Sequence, residues 1–294
     1  MPRYIYIILI LLGLLLLSCE PKPRNNPMDP SKDGRTLNVP SVYINIQKAI
    51  DNANNGDTVI VANGTYTGEG NNNISFMGKA ITVRSKNGAD STIINCEQSG
   101  NGFLFENNED SLSVLDGFTI KNGQRENGGG ILSINSSPII QNCTIDSCRS
   151  FDGGGIKLEN SNAKLINCTF SNNSSSAGAN TGGGISIDRF SKVQILNCTL
   201  IYNTAGFGAG IYINQSSQVH IYTSNFLNNK GDGNNKGSGG GGIDVQDSEA
   251  SIEESYISGN DGRGIKSVNS KIILTSSVIK NNNAANLSSS RSTI

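Results

Sequence analysis

From Gly128 onward the apolar positions fall into a repeat. A glycine-rich turn precedes an aliphatic anchor at Ile131, Ile156, Ile185, Ile211, Ile243 and Ile265. Twelve or thirteen residues after each anchor stands a small residue: Cys143, Cys168, Cys198, Ser224, Ser255 or Ser277. The return from the small residue to the next anchor takes 13, 17, 13, 19 and 10 residues. Constant spacing in one part of the unit and slack in the other predicts a solenoid whose insertions leave from one edge. Within a unit three short runs alternate with period two, so Ile185/Ile187, Val193/Ile195 and Cys198/Leu200 face inward. The next unit repeats them as Ile211/Ile213, Val219/Ile221 and Ser224/Phe226, stacked like on like about 4.8 Å away. The fold class this predicts is all-β, a parallel β-helix solenoid, and the crossover rule makes it right-handed.

Polar positions repeat with the same discipline. Seven residues before each small position is a serine: Ser136, Ser161, Ser191, Ser217, Ser248 and Ser270. Five residues after it is Asn173, Asn203, Asn229, Asn260 or Asn282, with Cys148 as the departure in the first unit. Side chains stacked in this way can satisfy turn amides, so both series are expected to be structural ladders. None of the serines is given a base by the repeat, which excludes them as nucleophiles.

Ahead of the repeat, Ile46, Ala49, Ile50 and Ala53 have helical spacing and predict a short amphipathic helix over 44–54. Asn54-Asn55-Gly56-Asp57 stops it, Thr58-Val59-Ile60-Val61 reads as a strand, and Gly64-Thr65-Tyr66 turns the chain. This phrase resembles the N-terminal entry of the pectin-lyase-like β-helix superfamily, which implies a helix plugging the open end of the solenoid. A plug answers a physical need, since a bare first coil would offer strand edges to water. The Gly-Gly-Gly-Ile phrases at 128–131, 153–156 and 182–185, with Phe170-Ser-Asn-Asn173 and Phe226-Leu-Asn-Asn229, also resemble repeats of the polymorphic outer-membrane proteins. That second resemblance implies an association with cell-surface adhesion.

The N-terminus carries a different pattern. Ile5 to Leu17 is apolar apart from Tyr6 and Gly13, shorter than the roughly 20 residues a membrane span needs. It has the length of a signal-peptide core. Its ending, Leu16-Leu17-Ser18-Cys19, resembles the lipobox of bacterial lipoproteins, which implies cleavage before Cys19 and lipidation of that residue. The expected organisation is a signal peptide at 1–18, a Pro-rich tether at 19–40, the β-helix domain at 41–283 and a low-complexity tail at 284–294. The expected location is the cell envelope, lipid-anchored, at the outer membrane or cell surface, with the membrane as a partner through the anchor.

Composition narrows the chemistry. Lys+Arg total 23 against 24 Asp+Glu, which leaves no basic surplus for nucleic acid. Cys143, Cys168 and Cys198 share one inward lane where parallel Cβ vectors suit a disulfide poorly, so they read as small packing residues. The redox state of these three, and of Cys96 and Cys148, stays open. No CxxC occurs and the chain has one histidine, His220, placed outward, which argues against a zinc site.

Enzymes with this fold set a demanding comparison. Pectate lyases use clustered Asp for Ca²⁺ with Arg or Lys as base; polygalacturonases use three Asp, a His and a Gly-His-Gly segment; pectin methylesterases use Gln-Asp-Thr-Leu. No such set is complete here, and Gln246-Asp247-Ser248 is only a fragment of the last. No catalytic residue is therefore assigned. One outward lane carries chemistry: Glu159, Asp188, Asn214 and Gln246 lie three past their anchors, and Lys157, Tyr212, Asp244 and Lys266 one past. Glu159 and Asp188 fall on adjacent coils, about 5–6 Å apart, and Tyr212 would offer a stacking surface for a sugar. Glu159, Asp188, Tyr212 and Asp244 are thus the candidate ligand-binding residues, against the alternative of a solvated face. Ca²⁺ is the one cofactor such carboxylates could hold. Asp232-Gly-Asn234-Asn-Lys236 has calcium-loop spacing, but Lys spoils it. The function expected is non-catalytic carbohydrate binding or adhesion at the cell surface; the alternative is a polysaccharide lyase or glycoside hydrolase with a diverged site.

Overall fold

The computed structural model describes residues 34–176, 181–231 and 239–294. The signal segment, Cys19, the tether up to Asp33 and the Asp232–Lys236 phrase lie outside the described residues.

Alternation at period two gives strands of two to seven residues, and these stack coil upon coil into four parallel sheets. Sheet I has ten strands, from Thr36–Val39 to Lys271–Thr275; sheet II has nine, from Gly64–Tyr66 to Val278–Lys280. Sheet III has nine, from Ile74–Ser75 to Leu287–Ser290, and sheet IV has five short ones, from Gln124–Asn127 to Lys230–Gly231. One coil shows the path: Ile156–Glu159 in sheet III, Lys164–Ile166 in sheet I, Thr169–Ser171 in sheet II, Ser174–Ser175 in sheet IV, then Ile185–Asp188 back in sheet III. The anchors pair in register, Ile131 with Ile156, Ile156 with Ile185, Ile185 with Ile211, Ile211 with Ile243 and Ile243 with Ile265. Each is buried, as are Leu165, Ile195 and Ile221 from sheet I and Phe170, Leu200 and Phe226 from sheet II. The core is therefore a column of aliphatic and aromatic side chains, with Phe76, Phe103, Phe105 and Phe118 packed together near its start.

The polar series are hydrogen-bonded ladders. In each, a backbone N–H of one coil donates to a side chain of the next. Ser217 N–H donates to Ser248 Oγ and Ser248 N–H to Ser270 Oγ. Asn173, Asn203 and Asn229 amides donate to the Oδ1 of Asn203, Asn229 and Asn260. The small-residue lane does more than fill space. Cys168 N–H donates to Cys198 Sγ and Cys198 N–H to Ser224 Oγ, so sulfur and hydroxyl serve as the same acceptor. Cys148, the departure in the asparagine series, still donates its N–H to Asn173 Oδ1. The left-handed conformation falls one residue before each ladder position, at Asn172, Tyr202, Asn228 and Asn281, rather than on the ladder asparagines themselves. The five described cysteines are free, buried thiols.

The entry helix runs Ile46–Asn52, shorter than the 44–54 expected. Asn45 ends it, its side chain accepting from Lys48 N–H, and leaves Ile44 exposed outside. Ile46, Ala49 and Ile50 are buried against the first strands of sheets I and III. At the other end, the segment read as a low-complexity tail continues the coil. Leu287–Ser290 pairs with Arg263–Val268, Ser292 extends the serine ladder, and Asn286 extends the asparagine ladder.

Candidate functional site

Sheet IV creates the site. Its strands are a fin: over 124–130 and 149–155 the chain leaves sheet II, pairs in sheet IV, turns at glycine and returns to sheet III. Gly128 and Gly153 take φ of +59° and +68° at that turn. A Cβ on Gly153 would fall 2.5 Å from Ile156 O, so glycine alone lets the turn fold down on the strand it feeds. The fin thus stands beside the outer face of sheet III, and the outer lane lies at its foot.

Register places Lys157, Ser186, Tyr212, Asp244 and Lys266 in one column across five coils. The column points away from the core yet is covered. Tyr212 is 2% exposed and Asp244 0%, and Lys157 and Ser186 are also buried. Tyr212 is therefore no open stacking platform, which corrects the sequence expectation: period two fixed the face of the strand but not the fin above it.

The expected carboxylate pair is also differently engaged. Glu159 and Asp188 are register partners, but Arg189 bonds Glu159 while Asp188 Oδ2 accepts from Lys157 Nζ. Lys157 Nζ donates as well to Asp152 Oδ2, a fin residue the sequence reading passed over. The signal for Asp152 was weak, because its counterparts in neighbouring coils are not acidic. Asp244 pairs with Lys266 at 3.2 Å, and Lys266 in turn lies over the Phe207 ring, 4.6 Å from its centre. So the structure gathers Asp188, Tyr212 and Asp244 with Asp152, Lys157 and Lys266, and sets Glu159 apart.

The electrostatics follow from burial and pairing. Burial alone would lower the Lys157 pKa, but Asp152 and Asp188 outweigh it and hold the ammonium above its usual value. Burial pushes Asp244 up, with Lys266 opposing. Burial, then the carboxylates of Asp244, Asp152 and Asp188, push the Tyr212 phenol well up. Three carboxylates face two ammonium groups, and Asp152 Oδ1, Asp188 Oδ1, Ser186 Oγ and Tyr212 OH have no hydrogen-bond partner among the described residues. Such buried groups ordinarily have one. The Asp152 and Asp188 side chains keep 20% and 14% exposure, so the cluster reaches solvent at its carboxylates.

Chemically, this arrangement offers carboxylate acceptors and ammonium donors held in pairs. Lys157 is held protonated, and its two neighbours share it. Ca²⁺ does not fit: the place between Asp152 and Asp188 is filled by the Lys157 ammonium. No group of three or more His, Cys, Asp or Glu among the described residues is placed to hold a metal.

The comparisons with known proteins agree on the fold. The family model described as right handed beta helix region matches residues 43–226. Among solved structures, that of pectate lyase Pel9A shares 16% identity at a TM-score of 0.55, covering 84% of this chain and 70% of that one. ORF18 of Geobacillus virus E2 shares 14% at a TM-score of 0.51, covering 86% of this chain and 60% of that one. A rhamnogalacturonan lyase shares 14% at a TM-score of 0.39, covering 88% and 87%. For the first two, at these identities, the likeness is one of fold. No curated protein matches.

Proposed function

The chain belongs to the right-handed β-helix region family, and we propose that it is a lipid-anchored envelope protein that binds carbohydrate without cleaving it. One observation carries the reading. The ammonium of Lys157 engages both Asp152 and Asp188, while their far oxygens, Tyr212 OH and Ser186 Oγ find no partner among the described residues. Those oxygens are buried, and what the cluster presents to a sugar hydroxyl is the part of the Asp152 and Asp188 side chains that stays exposed, 20% and 14%. Cleavage would need a group free to take a proton, and here Lys157 is held protonated while the two carboxylates beside it are already engaged by its ammonium.

Incubation with a panel of acidic and neutral polysaccharides tests the proposal. Retardation in affinity electrophoresis without new reducing ends or unsaturated products supports binding alone. Accumulation of either product would establish a lyase or hydrolase instead. The anchor is tested separately with a fatty-acid analogue, whose incorporation is expected to vanish in Cys19→Ala.

A further inference from the structure

We propose a second carbohydrate site on the outer face of sheet I, for a linear polymer of neutral sugars; this rests on the carbohydrate-binding reading above but not on the lane that carries it. Sheet I widens toward its end. Lys164–Ile166 has three residues, but Lys192–Leu196, Gln218–Tyr222, Glu249–Glu253 and Lys271–Thr275 have five each. Register aligns their outward side chains in columns running along the stack. Lys192, Gln218, Glu249 and Lys271 form one; Gln194, His220, Ser251 and Ile273 the next; Leu196, Tyr222, Glu253 and Thr275 the third.

The first two columns line a shallow depression of about 260 Å³, and the third, with Tyr222, lies next to them on the same face. A second depression of about 480 Å³ adjoins it round the turn, and the two share Gln218, Glu249 and Lys271. Together they make a continuous groove across the last four strands, a span of three strand spacings or about 14 Å. That length takes two or three sugar units.

The floor of this face is chemically distinctive. The His220 and Tyr222 rings project from one strand, parallel within 8° and with centroids 6.4 Å apart. Tyr222 is 39% exposed and the His220 side chain 41%. Like-oriented flat rings amid polar side chains are what a sugar ring stacks on, one face apolar and its rim wet. Gln194, Gln218 and Ser251 supply paired donors and acceptors for hydroxyl groups. Charge selects the class: Lys192 and Lys271 are balanced by Glu249 and Glu253, so a polyanion such as a polyuronate gains nothing here. Register matters too. Equivalent positions recur at each strand spacing of about 4.8 Å, which lets a polymer of repeating units meet similar surroundings along the stack.

His220 is the single histidine of the chain, so its imidazole proton resonance reports on this face without ambiguity. Cellohexaose and mannohexaose serve as neutral probes and hexagalacturonate as the acidic one, with affinities from calorimetry. A neutral probe is expected to shift the His220 resonance in the wild-type chain. The double variant His220→Ala, Tyr222→Ala is expected to weaken this component of the binding roughly tenfold, and Asp188→Asn, a lane variant, to lower the total bound while leaving the neutral probe's shift of the His220 resonance in place. An unshifted His220 resonance with binding lost only in Asp188→Asn overturns the second site and leaves the lane reading standing. Equal affinity for hexagalacturonate overturns the neutral class. Absence of any glycan binding overturns both proposals.

Discussion

At the scale of the residue, Lys157 is the most consequential side chain outside the core. It is buried between two carboxylates supplied by different coils, Asp152 from the fin and Asp188 from the next strand of sheet III. Lys157→Met removes the charge that both depend on. Denaturant unfolding is expected to show a loss of about 3–5 kcal/mol. Adding Asp152→Asn and Asp188→Asn should recover part of that loss, because the unpaired carboxylates are then gone. No recovery would mean the lysine acts by packing alone. Its raised pKa sets the pH range: the contribution is full below the ordinary lysine value and fades only as pH rises through the raised one. Asp57 behaves in the opposite sense. Burial opposes its charge, but bonds from the Arg35 side chain and the Asn54 and Arg35 amides prevail and lower its pKa. Its contribution is present above the usual carboxylate value, about pH 4, and lost as pH falls through the lowered one. Melting profiles of Asp57→Asn are expected to be flatter on the acid side than those of the wild type. At this scale the sequence was only half legible. Repeat position named Asp188, Tyr212 and Asp244 as neighbours. It could not show that Tyr212 is covered, since the cover comes from a fin whose length varies from coil to coil.

At the scale of the element, the ladders show why cysteine, serine and asparagine keep their places. A turn amide buried in the stack needs an acceptor from the next coil, and leaving one unmet costs about 1–3 kcal/mol. Cys198 Sγ meets the amide of Cys168 at 3.4 Å. Cys198→Ser should therefore be nearly silent in urea unfolding, while Cys198→Ala should lose about 1–3 kcal/mol. Asn203→Ala should lose more. Its Oδ1 accepts from both the amide and the side chain of Asn173, and its Nδ2 donates to Phe170 O and to Asn229 Oδ1. If Cys198→Ser cost as much as Cys198→Ala, the sulfur would be acting through packing and not as an acceptor. The ladders were fully legible as spacings, because each coil must solve the same turn problem at the same place. Their chemistry was less so: the cysteines looked like packing residues until their sulfurs were seen to accept. The fin strands, such as Arg149–Asp152, were missed because their buried positions are small residues, Ser150, Ser175 and Ala205, which make no apolar alternation to reveal them.

At the scale of the whole molecule, a solenoid makes interior and end unequal. Each coil touches only its neighbours, so an interior coil can be removed provided the coils brought together still match. Deleting Ile185–Gly210, 26 residues, joins Gly184 to Ile211 and sets Ser217 against Ser161, Ser224 against Cys168 and Asn229 against Asn173. Every ladder keeps an acceptor and every inward position an apolar side chain. This variant is expected to unfold cooperatively, with strand-type circular dichroism and a modestly lower midpoint. Ile46→Asp is the opposite case. Ile46 is 0% exposed beneath the entry helix, and a carboxylate there would lift the helix off the first coil. One substitution would then uncover the strand edges and apolar side chains of the first coil. The single change is therefore expected to lower the midpoint further than loss of a complete coil. A coil deletion that proved the more damaging of the two would show that stability resides in the particular fit of neighbouring coils, as at the Lys157 tie, rather than in the repeat and its plug.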